Sequence, residues 1–333
     1  MATAAVRAPV LRAYRGPQDH PAMVVISNAV RAFNGNQNVG TIADMTTYYA
    51  RFDQVRLLRD CALVELDNLV VAYGRVSWEA MASGDQVVSG VLNIDPPHRG
   101  AGIESILLGH AIRRAEDLAS ELGHGRPVVL DIYLTSRDPQ QRAAAEARGF
   151  RAVRSFAQLI RPNLDDIAEV PLPDGFDLRP IAPDDPAMHR RVWQADALAF
   201  AESWGQEAPS ESDFQRWTEG ETFEPTLWRV AFRGDGIAGQ ILNYLDQTTE
   251  PDGGRIGWTE AVSVQPEFRR RGLARALLAE SLRAVREAGA TKAGLGVDLQ
   301  DPNQARELYE SMGYRIVSIE HTYRLGPFPR HGR

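Results

Sequence analysis

The stretch of sequence that decides the fold is VSVQPEFRRRGLARALL, at positions 262–278. It begins as an apolar strand, Pro266 interrupts the strand, and an arginine-rich turn ending at Gly272 leads into a helix with leucines at helical spacing. The first turn of a helix presents backbone N–H groups without partners and the positive end of the helix dipole, both of which attract an anion. We therefore predict a phosphate-binding turn, with a solvated basic turn as the alternative.

The residues around this turn predict a compact mixed α/β domain. A Gly-Asp-Gly turn at 234–236 separates two apolar segments, as in a β-hairpin. Helical spacing places Leu277, Leu278, Leu282 and Val285 on one face of the helix that follows the arginines. The predicted strands are 227–232, 237–245, 257–264, 293–299 and 314–323, and the predicted helices are 273–288 and 304–312.

Residues 161–174, RPNLDDIAEVPLPD, are rich in proline and acid and lack periodicity, which is typical of a linker. The segments on either side match each other in order and at a nearly constant spacing, which favours a duplication. The matched positions are Leu11-Arg12 with Leu178-Arg179, Phe33 with Phe200, Pro96 with Pro266, and Gly149-Phe150 with Gly313-Tyr314. We expect two lobes, at 1–160 and 175–333, joined by the linker.

Two motifs in the second lobe resemble the GNAT superfamily of acetyltransferases. Arg269, Gly272 and Ala274 match its Arg/Gln-x-x-Gly-x-Gly/Ala turn, and residues 305–314 match its A-x-x-L-Y-x-x-x-G-F/Y helix. The resemblance implies two tandem GNAT-like lobes of the α/β (α+β) class, each a twisted, mixed and mostly antiparallel sheet that is splayed near its centre and flanked by helices. It also implies acetyl-CoA as the acyl-donor substrate. Among tandem members the chain resembles the mycothiol synthase family, although no residue marks a sugar–inositol acceptor.

The resemblance assigns the donor contacts to the turn and to the strand before it. In the family the backbone at Val262 and Val264 pairs with the pantetheine amides as an added strand would. The family often has an asparagine near the pantetheine arm, but Pro302 stands at its position and Asn303, the remaining candidate, is displaced by one. The residues implied to hold the pyrophosphate are Arg269, Arg270, Arg271, Gly272, Leu273, Ala274 and Arg275.

Two residues are the main candidates for proton transfer. In the family the tyrosine of the Leu-Tyr pair protonates the departing thiolate; that residue is Tyr309 here, and a phenol is a proton donor at neutral pH. Family bases often lie on the strand of Glu260, and strand alternation predicts that Glu260 faces the same side as Val262 and Val264. Asp298 is the second candidate base. The alternatives are a core tyrosine and a solvated carboxylate.

The first lobe carries a damaged copy of both motifs. Arg99 and Gly102 match the turn, but Glu104 stands where the family has a small residue, and a carboxylate repels a bound pyrophosphate. Ala145 stands at the position of the tyrosine. We therefore expect one working lobe, the second, and a first lobe that shapes the acceptor cavity or covers the catalytic lobe.

Residues 200–217, FAESWGQEAPSESDFQRW, combine aromatic rings with acids and fall where GNAT proteins form the acceptor pocket. A cationic amine would fit carboxylates and rings there, whereas core tryptophans and helix-start acids are the alternative. We expect direct transfer of an acetyl group to a primary amine of a small molecule. The rival functions are a non-catalytic acyl-CoA-binding regulatory module and a protein-lysine acetyltransferase.

Composition argues against several other classes. The chain has 333 residues, a net charge of −7 and no long basic run, whereas nucleic-acid binding needs a basic surface. No apolar run approaches the length of about 20 residues that a membrane helix needs, and the N-terminal residues lack the pattern of a secretory signal. Cys61 is the only cysteine, so neither disulfides nor thiolate metal sites are expected. We expect a cytoplasmic monomer or homodimer without a metal.

Overall fold

The structure, a computed structural model, describes residues 8–35, 39–80, 86–122, 127–200, 210–247, 249, 252–300 and 305–328. The chain forms two compact units, called unit 1 (Met1–Ser155 together with Ser318–Arg333) and unit 2 (Phe156–Val317). Within the described ranges, no helix combines the length and the apolar character needed to cross a membrane.

Helices and strands follow one another in a similar order in the two halves of the sequence. The first half contains β1 (Val10–Ala13), α1 (His20–Phe33), α2 (Ile42–Tyr49), α3 (Gln54–Asp60), β2 (Cys61–Leu66), β3 (Leu69–Ala80), β4 (Gln86–Ile94), α4 (Ile103–Leu122), β5 (Val128–Thr135), α5 (Pro139–Ala147) and β6 (Arg151–Arg161). The second half contains β7 (Asp177–Arg179), α6 (Pro186–Ala199), α7 (Glu211–Thr218), β8 (Arg229–Arg233), β9 (Gly236–Leu245), β10 (Ile256–Val264), α8 (Leu273–Glu287), β11 (Lys292–Asp298), α9 (Ala305–Ser311) and β12 (Arg315–Leu325).

Each unit is built on one mixed sheet. In unit 1 the strands run β1-β2-β3-β4-β5, completed by residues of β12; in unit 2 they run β7-β8-β9-β10-β11, completed by residues of β6. The β4–β5 and β10–β11 pairs are parallel, and the other pairs within each unit are antiparallel. The predicted fold class, two similar α/β lobes with mostly antiparallel sheets, is confirmed.

The elements predicted around the arginine-rich turn are present with nearly the predicted bounds. The exception is β8, which begins at Arg229 because residues Pro225–Leu227 form a 3-10 turn. Proline fixes its own φ and has no N–H to donate. It therefore suits the first position of a 3-10 turn better than a position in the hydrogen-bond ladder of a β-sheet. The apolar face of α8 is also confirmed, since its predicted core residues are 0–1% exposed: Leu277, Leu278, Leu282 and Val285.

The last strand of each half of the sequence pairs with a strand from the opposite half: β6 completes the sheet of unit 2, and β12 completes the sheet of unit 1. Residues 314–323 were expected to close the second lobe, but residues 320–325 of β12 pair with β5 in unit 1. The place beside β11 in unit 2 is taken by residues 156–161 of β6. Because both strands follow a short helix and both are antiparallel to their partners, the sequence pattern does not distinguish the two pairings.

The strands at the centre of unit 2 separate part-way along their length. Strands β10 and β11 pair in parallel only from Ile256 with Lys292 to Thr259 with Leu295. No later residues of the two strands pair with each other in the described part of the chain, so residues 260–264 of β10 keep one edge open. The predicted splay near the centre of the sheet is therefore present in unit 2.

A β-bulge lies at the point where β10 leaves β11. Thr259 pairs with Asn243 of β9, and the next pair is Ala261 with Leu242, which leaves Glu260 as an extra residue. Bulges bend a strand and re-aim a side chain, and they occur often beside active sites. The bulge therefore determines both the direction of β10 beyond Thr259 and the direction in which Glu260 points.

Two glycines allow close packing on the central strands. A Cβ at Gly257 would lie 2.5 Å from Val285 Cβ, so α8 rests directly on the backbone of β10. A Cβ at Gly294 would lie 2.5 Å from the Trp258 ring, which a 3.1 Å hydrogen bond from its Nε1 to Asp246 holds over β11. The central strands of unit 2 are thus covered closely on both faces.

We expect Gly294→Ala to lower the free energy of unfolding of unit 2 by about 1–3 kcal/mol, because the methyl group overlaps a rigid indole in a packed site. Gly296→Ala is the matched control on the same strand, since a Cβ there meets nothing within 4 Å and the backbone φ is ordinary. We expect the control to retain or slightly increase stability. Urea unfolding followed by circular dichroism measures both, and equal losses would contradict the packing argument.

Candidate active site

The arginine-rich turn presents an uncapped helix start. Arg270 has a φ of 62° and Gly272 a φ of 84°, both in the left-handed region, and α8 follows directly. No side chain caps the first turn of α8, and that turn contains no acid. Helices α2 and α7, by contrast, begin with complete capping boxes. The N–H groups at the start of α8 are therefore available to an external anion.

Arg269 fixes this turn to the end of α6. Its Nε donates to the carbonyl oxygen of Val264 at 3.1 Å, and its Nη2 donates to that of Ala199 at 3.0 Å. Nearby, Gln265 Nε2 donates to the carbonyl oxygen of Ala195 at 2.7 Å. The last carbonyls of α6 are thus satisfied by side chains of the turn. The contact predicted between Arg269 and a pyrophosphate stays a prediction.

The other arginines of the turn are exposed. Arg270 and Arg271 point into solvent beside the start of α8, and the Arg271 guanidinium lies 5.8 Å from the centre of the Phe268 ring. Arg275, in the first turn of α8, donates to Ser311 Oγ at 2.7 Å at the end of α9. The structure therefore keeps positive charge around the uncapped turn and ties that turn to the helix that carries Tyr309.

Tyr309 is buried on α9, with 5% of its surface exposed. Its ring meets the ring of Tyr314 edge-on, with centroids 6.1 Å apart. Burial raises the pKa of Tyr314, whose hydroxyl has no hydrogen-bond partner. Gly313 ends the helix with a φ of 88°. Asn303, the candidate for the pantetheine contact, lies outside the described residues.

Glu260 lies on the face of the sheet opposite the one that alternation predicted. The prediction that Glu260 shares a side with Val262 and Val264 is wrong, because the bulge adds one residue between them and reverses the alternation. A Cβ at Gly239 would meet both Val264 and Leu277 of α8, which places Val264 on the α8 side. Glu260 instead forms a hydrogen bond with Trp217 of α7, and the charge of Asp196 in α6 raises its pKa.

The surroundings of Glu260 favour its protonated form more than water does. Its side chain reaches solvent, yet burial by the surrounding protein raises its pKa. A hydrogen bond with Trp217 lowers the pKa in part, and the charge of Asp196 raises it. A carboxylate with a raised pKa is a stronger base, which is the property required to take a proton from an ammonium group.

The equivalent turn of unit 1 is occupied by its own side chains. Glu104, which is 4% exposed, accepts the backbone N–H of Gly100 through Oε1 at 2.7 Å. Arg99 forms an ion pair with Asp138 at the start of α5, with 3.0 Å between Nε and Oδ2 and both side chains at most 5% exposed. Ala145, at the position of the tyrosine, is fully buried. An internal carboxylate therefore takes the place that an external anion would need.

Of the two interpretations of the segment 200–217, an acidic pocket or core tryptophans with helix-start acids, the described residues fit the second. Residues 201–209 lie outside the described residues. Glu211 pairs with Arg190 at 2.7 Å, and Asp213 completes a capping box. The Trp217 indole stacks on the buried Trp228, with ring centroids 5.1 Å apart. The alternative prediction, core tryptophans and helix-start acids, holds for these residues.

Sequence analysis missed Asp196, which lies close enough to Glu260 to raise its pKa. It belongs to the last turn of α6, where the negative end of the helix dipole disfavours a carboxylate. An acid placed against the dipole was the available signal, but it needs the end of the helix to be known.

Comparison with known proteins agrees with this geometry. The model of the acetyltransferase (GNAT) family matches residues 189–314, which lie within unit 2. A mycothiol acetyltransferase from Beutenbergia cavernae is 32% identical over 69% of this chain and 74% of its own. The chain belongs to the GNAT family of acetyltransferases. Another relative of this GNAT enzyme, a mycothiol acetyltransferase from Thermomonospora curvata, is 28% identical over 83% of this chain and 90% of its own.

Solved structures share the fold of this GNAT acetyltransferase over 97% of its length. A GCN5-related N-acetyltransferase from Sphaerobacter thermophilus has a TM-score of 0.75 at 24% identity and covers 97% of both chains. A tandem GNAT protein from the clavulanic acid biosynthesis pathway has a TM-score of 0.64 at 16% identity, over 97% of this chain and 100% of its own. At these identities the likeness concerns the fold, and it agrees with the two units of the chain.

Proposed function

We propose that unit 2 transfers an acetyl group from acetyl-CoA directly to a primary amine of a small-molecule acceptor. The observation that carries the proposal is the uncapped start of α8 at the end of a strand with an open edge. Together they offer N–H groups for a pyrophosphate and a backbone edge for the pantetheine amides. Acetyl-CoA supplies an activated acetyl thioester when it is bound.

The residues of unit 2 fit such a donor. Arg270, Arg271 and Arg275 place positive charge next to the N–H groups of the helix start, where phosphate oxygens would accept hydrogen bonds. Beyond the bulge, the backbone of Val262 and Val264 borders the opening between β10 and β11. The side chain of Arg269 is engaged by carbonyl oxygens, so we assign it to holding the turn in shape rather than to the donor alone.

Two side chains of unit 2 provide the proton transfers. Glu260 accepts a proton from the acceptor ammonium, and the neutral amine then forms a C–N bond to the acetyl carbonyl carbon. As the C–S bond breaks, Tyr309 donates its hydroxyl proton to the sulfur and regains one from the new amide nitrogen. Glu260 passes its proton to solvent. The balance is one ammonium and one thioester converted into one amide, one thiol and one proton.

A single working site per chain follows from the contrast between the two turns. In unit 1 the carboxylate of Glu104 already accepts the N–H of Gly100, and the ion pair of Arg99 with Asp138 joins the turn to α5. In unit 2 the corresponding position is Ala274, which leaves the N–H groups of the helix start uncapped. We therefore assign donor binding to unit 2 alone.

The names of the relatives indicate which acceptor amine to test first. Relatives named mycothiol acetyltransferase make desacetylated mycothiol the first amine to test. The assay is release of free thiol from acetyl-CoA in the presence of desacetylated mycothiol, D-glucosamine, spermidine or L-lysine. Amine-dependent thiol release supports the proposed function, whereas donor binding without release for any amine would support a regulatory acyl-CoA-binding module instead.

We expect Ala274→Glu to weaken acetyl-CoA binding by at least about tenfold, which corresponds to about 1.4 kcal/mol. The new carboxylate reproduces the situation of Glu104, which accepts the N–H of Gly100 in the turn before its helix, and it repels the pyrophosphate. Calorimetric titration of acetyl-CoA into the full chain measures both the affinity and the number of sites, and the unmodified chain should show one.

The matched control is Glu104→Ala, which removes the carboxylate from unit 1 and should leave the affinity of the single site unchanged. Wild-type affinity in Ala274→Glu would show that the start of α8 does not bind the donor. Two sites in the unmodified chain would show that the carboxylate of Glu104 does not close unit 1.

We expect Tyr309→Phe to lower kcat by about a hundredfold, within the usual range for loss of a general acid, while acetyl-CoA affinity stays nearly unchanged. Tyr314→Phe is the matched control, since it removes a buried hydroxyl without a partner from the neighbouring ring. Steady-state kinetics and calorimetry on both variants give the comparison. Equal kcat values for the two variants would remove Tyr309 from the mechanism.

A further inference from the structure

A cavity of about 320 Å³ lies in unit 2 beside the first turn of α8. Residues 162–168, which follow β6, form one wall, and the end of α9 with the start of β12 forms the other. The charged side chains of its lining are three arginines and one aspartate: Arg161, Arg275, Arg315 and Asp166. We call this space the arginine cavity, and its volume lies at the lower end of the range for small-ligand pockets.

One arginine neutralises the aspartate of the arginine cavity. Arg161 is 6% exposed, and its Nη2 donates to Asp166 Oδ1 at 2.9 Å and to the carbonyl oxygen of the same residue at 3.0 Å. Its Nε donates to the carbonyl oxygen of Asn163 at 2.9 Å, and its Nη1 donates to that of Met312. Since the protein engages every nitrogen of this guanidinium, Arg161 is a fixed part of the wall and not a ligand for an anion.

The other two arginines of the cavity have no carboxylate as a partner. Arg275 donates to Ser311 Oγ at 2.7 Å and to Met312 Sδ at 3.5 Å, and neither partner is charged. The side chain of Arg315 is exposed and forms no ion pair or hydrogen bond within the described ranges of the chain. Two positive charges therefore border the cavity without a counter-charge. Guanidinium groups bind phosphate oxygens through paired, charge-assisted hydrogen bonds.

The protein itself holds the wall formed by residues 162–168 in place. Arg283 Nη1 donates to the carbonyl oxygen of Ala168 at 3.2 Å. One turn further along α8, Arg286 Nη1 donates to the carbonyl oxygen of Leu164 at 3.3 Å. These contacts, together with those of Arg161, fix the segment against α8 along its length. A preformed wall lowers the entropy that is lost when a ligand binds.

The arginine cavity adjoins the turn to which the pyrophosphate of the donor is assigned. Arg275 belongs to both, because its backbone lies in the uncapped first turn of α8 and its side chain lines the cavity. Besides the pyrophosphate, coenzyme A carries a phosphate monoester on the 3′-position of its ribose, at the end remote from the thioester. A phosphate monoester has about 1.5 to 2 negative charges at pH 7, which matches the two arginines that have no carboxylate partner.

We propose that the arginine cavity binds a phosphate monoester, the ribose 3′-phosphate of coenzyme A, with Arg275 and Arg315 as its ligands. This subsite rests on the proposed function and adds a second anion contact to its donor site. It also gives residues 162–168 a part in donor binding, since they form a wall of the cavity. A thioester that has the pantetheine arm but lacks the 3′-phosphate loses these contacts, so the subsite selects coenzyme A as the carrier of the acetyl group.

Calorimetric titration of two donors, acetyl-CoA and acetyl-3′-dephospho-CoA, into the full chain tests the subsite. The unmodified chain should bind the dephospho donor at least about tenfold more weakly, the usual loss for charge-assisted hydrogen bonds. Arg315→Gln should weaken acetyl-CoA binding by about tenfold and leave the affinity for the dephospho donor unchanged. The matched control is Arg306→Gln, which removes a charge that pairs with Glu310 on α9 and does not line the cavity. It should leave both affinities unchanged.

Equal affinity of the unmodified chain for the two donors would overturn the proposed subsite. An equal loss of both affinities in Arg315→Gln would do the same, because Arg315 would then act on a group that both donors carry. Inorganic phosphate is the competing occupant, and ³¹P NMR should show that acetyl-CoA displaces any that binds; phosphate that stays bound would assign the cavity to the free anion. Absence of binding for both donors would instead refute the donor site of the proposed function.

Discussion

The separation of β10 from β11 after Thr259 and Leu295 is the constraint on which the rest of unit 2 depends. Within a regular parallel sheet, the backbone of residues 260–264 would be saturated by its neighbour and could pair with nothing else. The bulge at Glu260 makes the separation possible, since it bends the strand at the place where pairing stops. The same residue opens the edge and turns a carboxylate towards α6, so donor and acceptor would meet at one point of the sheet.

The two units combine the same backbone arrangement with different charges at the start of the helix that follows the central strand. Both have a left-handed glycine before the helix that follows the central strand, at Gly102 and Gly272. In unit 1 a glutamate at the next position but one binds the turn of its own chain, whereas in unit 2 an alanine leaves the helix start uncapped. A helix N-terminus is stabilised by any nearby anion. The difference is whether the anion belongs to the protein or to a ligand.

Much of this architecture follows from local sequence patterns. Spacing along the sequence predicted the arginine-rich turn, the leucine face of α8 and the duplication, because each depends on neighbouring residues. The exchange of β6 and β12 could not be predicted from the sequence, since either strand can complete the same edge of a sheet. The bulge at Glu260 was also hidden, because alternation of side chains assumes a regular ladder. The effect of Asp196 on the pKa of Glu260 was not predicted, because it depends on how the chain folds. Glu211 and Asp213 are equally acidic in the sequence, but Glu211 pairs with Arg190 and Asp213 caps a helix.

In the proposed function only the turn of unit 2, together with the strand edge before it, binds the acyl donor. Hydrogen–deuterium exchange of the full chain with and without acetyl-CoA tests this assignment, because it reports on backbone N–H groups. We expect slower exchange on addition of acetyl-CoA in peptides covering residues 260–276, and no change in peptides covering 90–106. Protection of the 90–106 peptides, or of neither region at a saturating concentration, would contradict it.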